Sequence, residues 1–320
     1  MTTRGAVLEA LRASAGAGVS GEVIAESLGV SRVAVGKHVH ALEAQGYVID
    51  ARPGRGYILR SVPDAPIPRE IERLLRPGFW KRLTGGGETG STNDDGRALA
   101  RAGAEEGTVV LASRQSTGRG RLGRVWESPR GGAYLSAVLR PSVVPAEVAS
   151  LALVVALGVA EGLETLGVKP ALKWPNDVLI GAGKVAGVLL EMEAEPDRVG
   201  WVVAGVGVNI RRADATAEGA PGAAYLRDTV DASTPEVVAA MLDGIASAYQ
   251  RWSRGGFAAV RAEYATRLGM AGSAVRVTSL DGVVRAEGRA RGVDDLGRLL
   301  VDDENGAATP VVAGEVTLRA

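Results

Sequence analysis

The sequence predicts an α+β protein in three parts: a winged helix-turn-helix, a central mixed β-sheet with helices, and a small C-terminal β-barrel. Three observations predict it. Short amphipathic helical segments separated by a glycine turn fill residues 3–43. Apolar runs of strand length are mixed with helical spacing through the middle of the chain. From Ser273 onward short strands alternate with turns such as Asp281-Gly282 and Gly297.

Composition bounds what such a fold can do. With 320 residues, 46% of them hydrophobic, the chain can bury a sizeable core in two or three domains. It has no cysteine, which excludes disulfides, thiolate metal sites and a cysteine nucleophile. Its two histidines, His38 and His40, lie near the start, so no histidine-based catalytic or zinc site serves the main body. Lys plus Arg and Asp plus Glu both number 37, so bulk charge gives no push toward nucleic acid. The first residues lack a signal pattern, and the apolar run Leu151–Ala160 is about half a membrane span. A cytoplasmic protein without a membrane partner is expected.

Taken in order, residues 3–14 form a helix with Val7, Leu8 and Leu11 on one face, and Glu22–Leu28 form a second. Gly29 supplies a turn and Ser31 caps a third helix that carries Arg32, Lys37 and His38. Residues 47–59 read as a hairpin with the basic tip Arg52-Pro53-Gly54-Arg55-Gly56. Ser31, Arg32, Lys37, Arg52 and Arg55 are the candidate DNA contacts. A winged helix used for protein contacts fits as well, since residues 1–60 hold seven Arg or Lys against five Asp or Glu. The first domain is assigned to residues 1–62 and a stiff, proline-rich linker to 63–69.

The middle, residues 70–270, begins with ordered structure and a helix over 93–102 behind Ser91-Thr92-Asn93. Strands are expected at 108–112, 134–139, 171–174, 178–180, 184–193 and 201–207, and a core helix at 148–166. The helices are expected on one side of the sheet. Residues 211–224 form a loop, and 235–252 and 257–267 are helical. The barrel occupies 271–320.

Between two of these strands lies Arg114-Gln115-Ser116-Thr117-Gly118-Arg119-Gly120-Arg121-Leu122-Gly123-Arg124-Val125-Trp126. Glycine leaves such a segment poorly held, and arginine presents a planar fork for phosphate or carboxylate. It is a mobile lid for an anionic ligand, or a solvated basic loop or nucleic-acid arm. Three further motifs accompany it: Ser91-Thr92-Asn93, then Lys173-Trp174-Pro175-Asn176-Asp177 with Lys184-Val185-Ala186-Gly187-Val188-Leu189-Leu190-Glu191, and Gly205-Val206-Gly207-Val208-Asn209-Ile210.

These motifs, in this order, resemble those of the biotin protein ligases, and the two ends of the chain resemble the bifunctional bacterial form that is also the biotin operon repressor. The resemblance implies a catalytic domain of the class II synthetase and biotin-ligase kind, and an SH3-like barrel. It implies ATP, Mg²⁺ and biotin as ligands. Biotinyl-5′-AMP is formed and biotin passes to a lysine of a biotin carboxyl carrier domain. Ser91, Thr92, Asn93, Gln115, Gly118, Arg119, Gly120, Arg121 and Lys184 match the biotin-contacting positions. Lys184 and Arg121 are the catalytic candidates. Arg119, Arg121, Arg124, Trp126, Lys173, Asn176 and Asn209 are the adenylate and ATP candidates, and Asn176 and Asp177 orient Lys184 or hold Mg²⁺, with Asp177 the metal candidate. Gly90 stands where the family has aspartate, Leu122 where some members have a further arginine, and Tyr225 near the loop that covers adenine. Operator DNA, and a homodimer of the adenylate-bound form, are implied as well. Two other readings stay open: a lipoate-type ligase, and a DNA-binding regulator that senses a ligand without ligase activity.

Overall fold

The computed structural model describes residues 2–213, 222–279 and 281–318. The chain forms two compact units, Met1–Asp64 and Ala65–Ala320.

In the first unit α1 (Thr3–Ala13) buries Val7, Leu8 and Leu11. The next helix, α2 (Gly21–Leu28), stops where Gly29 turns left-handed at φ 64°. Ser31 then starts α3 (Arg32–Glu43), its hydroxyl accepting the Ala34 amide at 3.1 Å. Val35, Val39 and Leu42 of α3 face the core, which leaves Arg32 and Lys37 exposed. Strands β1 (Val48–Arg52) and β2 (Gly56–Ser61) pair antiparallel and make the wing. Gly56 passes so close to Val19 that a Cβ would stand 2.2 Å from the Val19 carbonyl oxygen.

The second unit opens with α4 (Pro68–Glu72). The sequence places Pro68 and Arg69 in the linker, whereas the structure puts them in this first turn. Proline suits that position because its φ is already helical and it lacks only an amide that would be unpaired. Short strands β3 (Arg82–Gly85) and β4 (Glu88–Thr89) precede α5 (Thr92–Arg101). Then come β5 (Thr108–Ala112), β6 (Arg114–Gln115), β7 (Gly132–Leu139) and α6 (Leu151–Thr165). Strands β8 (Ala171–Lys173), β9 (Asp177–Ile180), β10 (Gly183–Ala194) and β11 (Val199–Asn209) follow. Helices α7 (Thr234–Gly255) and α8 (Arg261–Arg267) close the layer.

Seven strands form one mixed sheet in the order β3-β5-β7-β11-β10-β9-β8. Only the β3–β5 pair is parallel among them. The central strands β7 and β11 are buried on both faces. Ala133, Leu135, Ala137 and Leu139 join the main core, with Val202, Ala204, Val206 and Val208 from β11. Val138, Trp201 and Val203 point the other way and pack with Ala100 of α5. Helices therefore lie on both faces, α6 on one and α5 on the other, and not on one side as the sequence suggests. The apolar strand runs permit either arrangement, because a strand buried on both faces shows no alternation.

Helices α6 and α7 touch backbone to backbone. A Cβ on Gly162 would stand 2.2 Å from the Ala240 carbonyl oxygen, and one on Gly244 2.1 Å from that of Gly158. By length and composition the stretch Pro145–Thr165 is apolar enough to cross a membrane, but 72% of its most apolar window is buried inside the protein.

The C-terminal strands are β12 (Ala274–Thr278), β13 (Val284–Val293), β14 (Leu299–Asp302), β15 (Ala308–Val311) and β16 (Glu315–Leu318). They form an antiparallel, SH3-like sheet in the order β15-β14-β13-β12-β16. The turn between β13 and β14 sits on the main core: the Trp174 indole N–H donates to the Gly297 carbonyl at 3.0 Å, a buried bond.

Candidate functional site

The site is assembled on the α5 face of the large sheet. The two-stranded parallel pair β4–β6 places the start of α5 beside Gln115. The amide and hydroxyl of Thr92 both donate to Gln115 Oε1, at 2.8 and 3.0 Å. Gln115 Nε2 donates to Ser128 Oγ at 2.9 Å. Ser136 Oγ lies 2.8 Å from Thr92 Oγ1 and 2.6 Å from Asn93 Oδ1, and Asn93 Nδ2 donates to Glu191 Oε2 at 2.8 Å. Ser91 is buried at the N-terminus of α5, yet its hydroxyl does not cap the helix. Buried polar groups need such partners, since each one left unpaired costs about 1–3 kcal/mol. Sequence reasoning missed Ser128, Ser136 and Glu191. Ser136 left a signal, a hydroxyl inside an otherwise apolar buried strand.

The arginine-glycine segment is folded more tightly than its composition suggests. Gly120 N–H donates to the Arg124 carbonyl at 2.8 Å, and Trp126 N–H to the Gly118 carbonyl at 3.0 Å. The loop thus closes on itself like a small hairpin, with Arg121–Gly123 in a single tight turn. Gly118 is required there, because a Cβ would stand 2.4 Å from both Ser128 Oγ and the Trp126 carbonyl. Leu122 adopts φ 64°, the left-handed region that costs a β-carbon-bearing residue about 1–2 kcal/mol. Leu122→Gly is expected to stabilise this loop conformation by about 1 kcal/mol. Slower amide hydrogen exchange across residues 118–126 would register it, and unchanged or faster exchange would contradict it.

Arg119, Arg121 and Arg124 of this loop end in different places. Arg119 is gripped by carboxylates: its two terminal nitrogens donate to Asp94 at 2.8 and 3.0 Å. Arg124 is ion-paired with Glu315 of β16. Arg121 lies deepest, its Nη1 donating to the neutral amide oxygen of Asn176 at 3.2 Å. Burial pulls its pKa below the ordinary arginine value, with the Asp177 and Glu315 charges acting against that.

The facing wall comes from β8 to β10. The Trp174–Pro175 peptide is cis. Asn176 is held by Val188, donating to its carbonyl at 2.8 Å. Lys184 Nζ lies 2.6 Å from Asp177 Oδ1 and 4.9 Å from the centre of the Trp126 ring. That indole rests on two glycines that face each other across β10 and β11, Gly187 and Gly207. A Cβ on Gly207 would come within 2.4 Å of the indole nitrogen. The Trp126 N–H is buried and has no acceptor among the described residues.

Between the walls is a cavity of about 340 Å³. It brings together Ser91, Thr92, Asn93, Gln115, Arg119, Gly120, Arg121, Arg124, Trp126, Lys173, Asn176, Asp177 and Lys184, and it is closed by Gly314, Glu315 and Val316 of the barrel. Two expected residues stand behind it: Gly118 in the base of the loop, and Asn209, whose side chain donates to the Lys184 carbonyl at 3.2 Å. Tyr225 packs with Arg212, the guanidinium 4.7 Å from its ring centre, and residues 214–221 of the loop expected over adenine lie outside the described residues.

In the first unit, Ser31 spends its hydroxyl on the α3 cap, and Arg32, Lys37, Arg52 and Arg55 are exposed. Arg52 and Arg60 share Asp50, at 3.2 and 2.8 Å, so part of the wing charge is neutralised.

Comparison with known proteins gives three family matches: an HTH domain over residues 4–58, the biotin/lipoate A/B protein ligase family over 89–209, and the biotin protein ligase C-terminal domain over 271–319. The bifunctional ligase/repressor BirA of Bacillus subtilis is 33% identical over 295 residues, 90% of each chain. That of Escherichia coli is 30% identical, covering 94% of this chain and 92% of its own. The biotin protein ligase of Aquifex aeolicus, solved with biotin and ATP, superposes with a TM-score of 0.64 at 29% identity, over 75% of this chain and 99% of its own.

Proposed function

The chain belongs to the biotin protein ligase family, and from that membership we propose that it activates biotin with ATP, transfers it to a carrier-domain lysine, and represses transcription as an operator-binding protein. One observation carries the ligase reading: the Ser91–Asn93 and Gln115 network, the arginine loop and the Lys184–Asp177 pair all open on a single cavity. A biotin carboxylate oxygen attacks the α-phosphorus, the P–O bond to pyrophosphate breaks, and the mixed anhydride remains. A carrier lysine amine then attacks the acyl carbon, AMP leaves, and the amine loses its proton to solvent.

The side chains divide this work. Ser91, Thr92, Asn93 and Gln115 offer hydroxyl and amide groups to the ureido ring. Lys184 and Arg121 face the reacting anions and stabilise charge that grows at the phosphate oxygens. The Trp126 indole forms an apolar wall for the ligand. Lys173, Asn176 and Arg124 line the nucleotide side, and Asn209 braces the Lys184 backbone. The loop keeps water from the anhydride. Among the described residues no cluster of three possible metal ligands occurs. A magnesium ion would be carried chiefly by the phosphates, with Asp177 the cavity carboxylate that would help hold it, and it would supply neutralisation of phosphate charge.

The test is mass spectrometry of a carrier domain incubated with the protein, ATP, Mg²⁺ and biotin, with lipoate in a parallel tube. A biotin-sized mass gain is expected; gain only with lipoate, or none, overturns the assignment. Arg121→Ala is expected to release the adenylate at least about tenfold faster, as loss of a charged contact predicts. Retention equal to wild type would remove Arg121 from the site.

For the first unit, Arg32, Lys37, Arg52 and Arg55 supply base and phosphate contacts. Replacing Lys37 by alanine is expected to reduce the salt slope of operator binding by about one. An unchanged slope would place Lys37 off the DNA. If the adenylate-bound form dimerises, linkage requires the dimer to hold adenylate more tightly than the monomer does. The protein acts in the cytoplasm, where carrier and chromosome are both present.

A further inference from the structure

We propose that Asp94 and Glu191 are positioning residues of the lid: they clasp Arg119 and so set where Arg121 stands, and Arg119 does not itself serve as the substrate's cation.

The clasp joins three elements of the second unit. Asp94 is in the first turn of α5, Glu191 is on β10, and Arg119 projects from the loop between them. Asp94 receives both terminal nitrogens of Arg119, at 2.8 and 3.0 Å, which spends the planar fork on the protein's own carboxylate. Glu191 lies 3.3 Å from the same guanidinium and 3.3 Å from that of Arg97, which also pairs with Asp94. Two cations and two carboxylates leave the cluster without net charge, so it has little to offer an incoming anion. Arg121 contrasts with it: its hydrogen bond runs to the neutral Asn176 amide, and it is the more buried of the two arginines.

The position of the clasp in the loop explains its use. Arg119 stands between Gly118 and Gly120, so its own side chain is the side-chain hold available there, added to the backbone bonds that close the loop on itself. Two residues on, Arg121 enters the cavity. Glu191 also accepts the Asn93 amide at 2.8 Å, which ties the clasp to the network on the opposite wall. Asp94 and Arg119 are both more than a third exposed. A pair of that kind is weak enough to break in each turnover and strong enough to bias a loop rich in glycine.

The meaning of the clasp rests on the ligase reading, but its first test needs no ligand. Thermolysin cleaves before exposed aliphatic residues, and Leu122 and Val125 are exposed in the loop. In the ligand-free full chain, Asp94→Asn, Glu191→Gln and Arg119→Lys are each expected to raise cleavage at these sites about three- to fivefold, the range of a partly exposed ion pair. The double variant Asp94→Asn/Arg119→Lys is expected to be cut no faster than either single one, and Asp94→Glu to return toward wild type. Arg119→Lys sits on a surface loop and keeps its charge, so it tests the clasp even if an α5 or β10 variant folds poorly. The second readout is biotin affinity, expected to fall by the same factor in Asp94→Asn as in Arg119→Lys. Unchanged cleavage in Asp94→Asn and Glu191→Gln overturns the clasp. So does a loss of affinity confined to Arg119 variants, which would put that guanidinium on the substrate. Failure of the wild type to form an adenylate overturns the ligase reading and leaves the cleavage result standing.

Discussion

Lys184→Ala is expected to slow adenylate formation by about 10²–10³-fold, the usual consequence of removing one preorganised donor from a developing anion. The first chemical step drives a carboxylate against a polyphosphate, so like charges must be brought together. Lys184 Nζ is held in place for this by Asp177 at 2.6 Å and by the Trp126 ring face at 4.9 Å. Its backbone is fixed as well, with its amide bonded to the Gly222 carbonyl at 2.8 Å. Asp177 orients the ammonium and is expected to cost less when replaced by asparagine, which keeps an oxygen within reach. Pyrophosphate release in a single turnover is the measurement. Because the Lys184 side chain is one-third exposed, thermal stability should hardly change, which separates a chemical effect from a folding one. A variant forming adenylate at the wild-type rate would end the assignment.

Gly162→Val is expected to destabilise the second unit by about 3 kcal/mol, at the upper end of the usual cost of overpacking. The first methyl would already meet the Ala240 carbonyl oxygen at 2.2 Å, and this neighbour is the backbone of a 22-residue helix. Neither helix can yield locally, since α6 is pinned to the sheet by buried leucines and valines on its remaining faces. Denaturant unfolding should show a lower midpoint at unchanged slope. Gly87→Val, in the same unit, where φ is not positive and the added group meets no atom within 4 Å, is the control for backbone effects alone. Equal losses in the two would contradict the close-contact account.

The winged helix was readable because its punctuation is local: Gly29 and Ser31 act within one turn of themselves. Core helices and strands were readable from period and length. The placement of α5 was not, because it depends on which face of β7 and β11 is used, and both faces are apolar. Its traces were single residues, Ser136, Gly205 and Gly207, whose meaning appears only when Asn93 and Trp126 arrive opposite them. The cavity residues came from motif resemblance, and the structure gathers nearly all of them. Asp94 adjoins one motif stretch and Glu191 ends another, neither with a role assigned to it, and Glu315 carries no motif signal, since a lone acid on a helix or strand reads as a solvated surface charge. The loop arginine that each one pairs with lies at least 25 residues away in the chain.

The bond from Trp174 to the Gly297 carbonyl has a consequence for biosynthesis. The cavity needs Gly314, Glu315 and Val316 as its last wall, and the Lys-Trp-Pro-Asn-Asp segment needs the turn at Gly297 to satisfy its buried indole. Both are translated long after the rest of the site. A nascent chain whose ribosome has passed residue 270 therefore holds every candidate ligand-binding motif and still lacks a finished pocket. The pocket is completed only once the barrel segment has been made and has folded against the sheet.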